Sequence, residues 1–104
     1  MLQEVTGHSR VVAVPLKHAP KRIRPPFDTD PGDRSDHRRA GESLEQWRAR
    51  RHADRVRALQ EPLDGVELGA YDRRVIEWLA QWDTAVVGAV ASLLYRVREA
   101  GERP

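Results

Sequence analysis

The stretch Ala70-Tyr71-Asp72-Arg73-Arg74-Val75-Ile76-Glu77-Trp78-Leu79-Ala80-Gln81-Trp82 decides the fold class. At about 100° per residue, Tyr71, Val75, Trp78, Leu79 and Trp82 fall within an arc of about 100°, while Arg73, Arg74, Glu77 and Gln81 occupy the opposite side. One apolar stripe on a helix-length segment is the pattern of a helix that covers something. A helix over residues 70–82 is therefore expected.

Downstream, Asp83-Thr84 offers two good N-cap residues, and residues 84–100 follow as a further helix, with Gly101 beyond its end and Arg96 and Arg98 suited to its C-terminal dipole. Val86, Val90, Leu93 and Val97 recur at i, i+4, i+7 and i+11, and Gly88, Ser92 and Tyr95 lie on the opposite, smaller side. The β-branched content of residues 85–94 also suits a buried strand, but length and caps favour helix. Upstream, Ser43-Leu44-Glu45-Gln46 has the form of a capping box opening a helix over residues 43–60, which Pro62 closes. Its apolar positions Leu44, Trp47, Ala58 and Leu59 are interrupted by Arg48, Arg51 and Arg55, so it reads as a poor core helix.

Residues 1–42 hold five of the seven prolines (Pro15, Pro20, Pro25, Pro26 and Pro31) among dense charge. Helix cannot propagate through that spacing, and only residues 10–16 suit a short strand. The expected architecture is all-α: a two-helix hairpin over 70–100 with one preceding basic helix, forming a helical domain over 43–104, and a flexible basic Pro-rich arm over 1–42.

Composition excludes several function classes. The 104 residues contain no Cys, which removes disulfides, thiolate metal sites and cysteine nucleophiles. No apolar run approaches the roughly 20 residues of a membrane span, and no secretory signal is evident; a cytoplasmic protein without membrane attachment is expected. The net charge of +2 divides unevenly: residues 1–60 carry 13 basic and 8 acidic side chains, residues 61–104 carry 5 and 8. Sixteen of the 18 basic residues are Arg, a bias that GC-rich codons explain and that phosphate recognition would also favour.

The segment Asp28-Thr29-Asp30-Pro31-Gly32 resembles the Asp-rich calcium loop near the N-terminus of nucleoside hydrolases, and that resemblance implies a small metal-dependent hydrolase. The family continues with two more aspartates, where this chain has Arg34 and Ser35, and its loop follows a hydrophobic strand, where this chain has Arg22-Ile23-Arg24-Pro25-Pro26. As a turn, Asp-Pro-Gly explains itself. Read as an EF-hand loop, Asp28, Asp30, Asp33 and Asp36 lack the Gly at position six and the Glu at position twelve, which are Asp33 and Arg39 here. The four histidines (His8, His18, His37, His52) form no metal-ligand pair. None of the four serines (Ser9, Ser35, Ser43, Ser92) sits in a Gly-x-Ser-x-Gly elbow. No catalytic residue, metal ligand or cofactor is expected.

Two interaction readings remain. Arg38, Arg39, Arg48, Arg51 and Arg55, within a basic region spanning 17–57, would make a phosphate-contacting strip for nucleic acid. A helix-turn-helix over 76–95 is poorly supported, because Ala85-Val86-Val87-Gly88-Ala89 offers nothing that reads base edges. The leading reading is a small non-catalytic adaptor or regulatory protein. Its face would comprise Tyr71, Val75, Trp78, Leu79, Trp82, Val86, Val90, Leu93 and Val97. A hairpin this short buries too little by itself to offset the ordering of its chain, so it must pack on the first helix, a second copy or a protein partner. Against this stands a monomeric three-helix core around which the first helix snorkels its arginines.

Overall fold

The computed structural model describes residues 13–30 and 37–102, with three α-helices and no strand among them. Helix α1 is Leu44–Gln60, α2 is Ala70–Leu79 and α3 is Thr84–Gly101; a single 3-10 turn, Glu61–Leu63, follows α1. The start signals act as the sequence implies. The Ser43 hydroxyl accepts from the Gln46 amide at 3.0 Å, and the Gln46 side chain accepts from the Ser43 amide at 2.9 Å. Asp83 caps α3 through the Val86 amide at 3.1 Å. Helix α2 stops at Leu79, three residues short of the expected end at Trp82, and Ala80 to Trp82 form a turn in which the Trp82 amide donates to the Leu79 carbonyl. The chain must turn there to present Asp83 as the next cap.

The expected hairpin with an added helix is not the packing found. Helix α1 packs against α2, against the 3-10 turn and against α3, while α2 and α3 share no packing of that extent. The helix expected to be a poor core element is thus the hub. Its arginines leave room for one buried edge, formed by Arg55, Ala58 and Leu59. Ile76 of α2, Ala80 just past its end, and Val87 and Ala91 of α3 complete this part of the core.

The second correction concerns the N-terminal segment. Residues 13–30, expected to belong to a flexible arm, lie against the helices as an irregular strap, and the described part of the expected strand (residues 13–16) is not a strand. Phe27 is a buried core residue packed 6.1 Å, ring to ring, from Tyr95 of α3, and Leu16 and Ile23 flank the same core. The Ala13 amide donates to the Glu99 carboxylate at 3.1 Å, Pro20 is buried against Gly88, and the Lys21 amide donates to the Phe27 carbonyl at 2.7 Å. The strap therefore runs from the C-terminal end of α3 towards its N-terminal half, then folds back through the cis Pro25-Pro26 peptide. The other residues of the expected arm up to 36 lie outside the described residues.

Candidate interaction surface

Helix α2 is held by one side. Ile76 and Ala80 are buried, and the His52 ring donates from Nε2 to the Glu77 carbonyl at 3.0 Å. The Asp72 carboxylate accepts from the Gly69 amide at 2.9 Å, which fixes the start of the helix. With that side anchored to α1, the large apolar stripe points to solvent. Tyr71 is 73% exposed, Trp78 54% and Trp82 47%, with Val75 beside them at 37%. The Trp78 and Trp82 rings meet edge to face, 5.8 Å between centroids at 79°, so Trp82 continues the stripe although it lies past the helix end. Leu79, the remaining expected member on α2, is half-buried against the core.

Helix α3 repeats this inversion. Its buried residues are Val87, Gly88, Ala91 and Ser92, largely the smaller side, whereas Leu93 and Val97 are exposed and Val86 and Val90 only partly covered. The physical reason lies at Gly88. A Cβ there would stand 2.5 Å from the Arg22 carbonyl oxygen and 2.7 Å from Pro20 Cγ. The strap approaches the helix backbone this closely only where no side chain stands between them, which selects the small side for burial. Val14, Leu44 and Val66 are also exposed, but not as members of either stripe.

The arginines expected to form one phosphate-binding strip are divided. Arg38, Arg39 and Arg48 are exposed. The Arg51 guanidinium lies 4.7 Å over the Trp47 ring, and Arg55 is 8% exposed and donates to Thr84 Oγ1 at 3.1 Å. Arg24, which lies in the basic region over 17–57 expected to contact phosphate, is instead engaged within the fold and donates to Asp54 Oδ1 and Glu61 Oε1, both at 2.9 Å. Burial opposes the charged form of Arg24, yet the bonds to Asp54 and Glu61 outweigh it and raise its pKa. Burial likewise works to raise the pKa of Asp54, but the Arg24 bond and charge hold it below the ordinary value. Arg50 grips Glu42 at 2.8 and 3.1 Å, and this bond, with the Arg39 amide, lowers the Glu42 pKa to about 2. Burial raises the pKa of the Tyr95 hydroxyl beside the strap.

Asp28 and Asp30 are exposed, and Asp33 and Asp36 lie outside the described residues. Among the described residues no three His, Asp or Glu side chains are grouped to hold a metal, and no helix is long and apolar enough to cross a membrane. The chain matches no family model, no curated protein and no solved structure.

The sequence reading missed Pro20, Phe27, Ile76 and Ala80 as packing residues. Phe27 is the one Phe of the chain and follows Pro25-Pro26, a signal that a polar arm has no use for. Ile76 and Ala80 sit one turn apart beside the aromatic stripe, and the larger side chains drew the reading away from them.

Proposed function

We propose that this chain is a small non-catalytic interaction protein that works through the apolar stripes of α2 and α3, either by self-association or by docking to a protein partner. One observation carries the reading. Helix α2 buries only Ile76 and turns Tyr71 and Trp78 outward, with Trp82 beside them past its end, each about half exposed or more. Exposed aromatic side chains grouped on one face cost solvation unless a partner covers them, and Trp and Tyr are the residues most enriched at interface centres. A cytoplasmic location suits such a role.

Nucleic-acid binding is the weaker reading, because Arg51 and Arg55 are occupied within the fold and only Arg38, Arg39 and Arg48 of the five remain outward. The test is affinity purification of the tagged chain from its native host, run beside Trp78→Asp and followed by mass spectrometry. A co-purifying protein or an untagged copy of the chain that Trp78→Asp loses supports the proposal. An identical set of partners for both forms overturns it.

A further inference from the structure

Resting on that reading, we infer that the occupant of the α2 stripe is a second copy of this chain, with the two α2 helices antiparallel about a two-fold axis near residues 76 and 77. The spacing of the stripe suggests it. Tyr71, Val75, Trp78 and Trp82 are separated by four, three and four residues, an order that reads the same in both directions. An isologous interface requires that if residue i meets j, then j meets i. In the antiparallel pairing Tyr71 meets Trp82 of the second copy, and Trp78, the largest side chain of the central pair, meets the smaller Val75. In the parallel pairing Trp78 and Trp82 would each face themselves, stacking bulk on bulk at two levels and leaving Val75 opposite Val75. Large against small interdigitates; large against large splays the helices.

Charge agrees with a copy rather than with other surfaces. The α2 residues Asp72, Arg73, Arg74 and Glu77 balance, so two α2 helices meet without net repulsion. A lipid surface or a nucleic acid would call for a cationic flank, which this helix lacks. Area sets the strength. Aromatic rings cover about 150–250 Å² each when buried, so the exposed parts of Tyr71, Trp78 and Trp82 amount to about 350 Å² per copy. That is well below the roughly 800 Å² per partner of a standard interface, which calls for a weak, concentration-dependent dimer.

The experiment is sedimentation equilibrium of the purified full chain from about 1 µM to 1 mM, a span that reaches the concentrations at which a weak dimer forms. A reversible dimer is expected, and Trp78→Asp should weaken it at least thirtyfold, the scale of a hot-spot residue. Circular dichroism checks that the variant folds; should it not, Trp82→Gln replaces it. Because the chain has no cysteine, single introduced thiols report orientation cleanly. Val75→Cys lies beside the two-fold and should oxidise to a covalent dimer, whereas Tyr71→Cys, about 16 Å along the axis from its own copy, should not. A monomer throughout, a dimer indifferent to Trp78→Asp, or efficient cross-linking of Tyr71→Cys overturns the inference. A monomer that still captures a protein through Trp78 overturns it while leaving the proposed function standing; a monomer whose captured proteins are unchanged by Trp78→Asp overturns both.

Discussion

An alanine at position 88 would set its Cβ 2.5 Å from the Arg22 carbonyl oxygen, and a backbone oxygen cannot swing aside as a side-chain tip can. The strap or α3 must then shift, which places Gly88→Ala among overpacking substitutions that cost about 1–3 kcal/mol. Urea denaturation should show a lowered midpoint with an unchanged slope, and a midpoint within error of the parent would mean that the strap does not rest on Gly88. One turn further along, Ser92 carries the opposite expectation. It is fully buried and its hydroxyl finds no hydrogen-bond partner among the described residues, so the native state holds a desolvated polar group with nothing in return. Ser92→Ala should therefore leave stability unchanged or raise it by up to about 1 kcal/mol; a loss larger than that would show that the hydroxyl is bonded. Both positions show where the sequence was legible and where it was not. The helical register separates Gly88 and Ser92 from the Val86–Val90–Leu93–Val97 stripe unambiguously, but register does not say which side faces in. Hydrophobicity favours the valines, and the decision was made instead by a backbone approach that only the small side permits.

At the scale of elements, local signals were the most readable. The Ser43–Gln46 box and the Asp83 cap act between residues three apart, so their chemistry is complete within the sequence window that contains them. The strap depends on partners 30 and 37 residues away, and nothing near Arg24 announces Asp54 and Glu61 as its acceptors. This ion-paired anchor has a pH signature. The folded-state pKa of Asp54 lies below its ordinary value, so its contribution is fully present above the unfolded value of about 3.9 and is lost as pH falls through the lower, folded one. Glu42, at about 2 when paired with Arg50, behaves alike over the interval from about 5 down to 2. Stability should thus be level from pH 7 to 5 and fall below that. In Arg24→Gln the neutral-pH stability should drop by about 1 kcal/mol, since both carboxylates are partly exposed and solvent-screened. The part of the acid slope due to Asp54 should shrink with it, leaving what Arg57 supplies from 3.5 Å. Urea midpoints at a series of pH values, with limited proteolysis around Lys21 and Arg22 as a direct readout of the strap, decide the matter; an acid profile identical in variant and parent would detach Asp54 from Arg24.

Across the whole molecule, what the helices cannot supply for themselves is bulk. Of the buried residues they contribute, only Leu59, Ile76 and Val87 are apolar side chains larger than alanine, and the two apolar stripes that would add more are largely turned outward. Phe27 therefore does for this core what Trp78 and Trp82 do not, and truncating a buried Phe typically costs about 3–5 kcal/mol against the 5–15 kcal/mol that a whole domain has. The division expected from composition, an arm ending at 42 and a helical domain beginning at 43, follows proline content and charge, which report local stiffness and solvation but not which segment brings the large side chain. A chain lacking residues 1–36 provides the test. It should keep much of its far-ultraviolet helical signal, because the caps and α1 remain, yet lose the sharp thermal transition and bind a hydrophobic dye, as a compact state without fixed packing does. Adding a synthetic peptide of residues 13–30 in trans should restore the transition in proportion to peptide concentration, since a ligand that binds only the folded form stabilises it by mass action. The same peptide carrying Phe27→Ala should not. If the shortened chain melts as cooperatively and at the same temperature as the full one, the core is closed without the strap, and the packing of Phe27 on Tyr95 contributes nothing that the three helices do not already have.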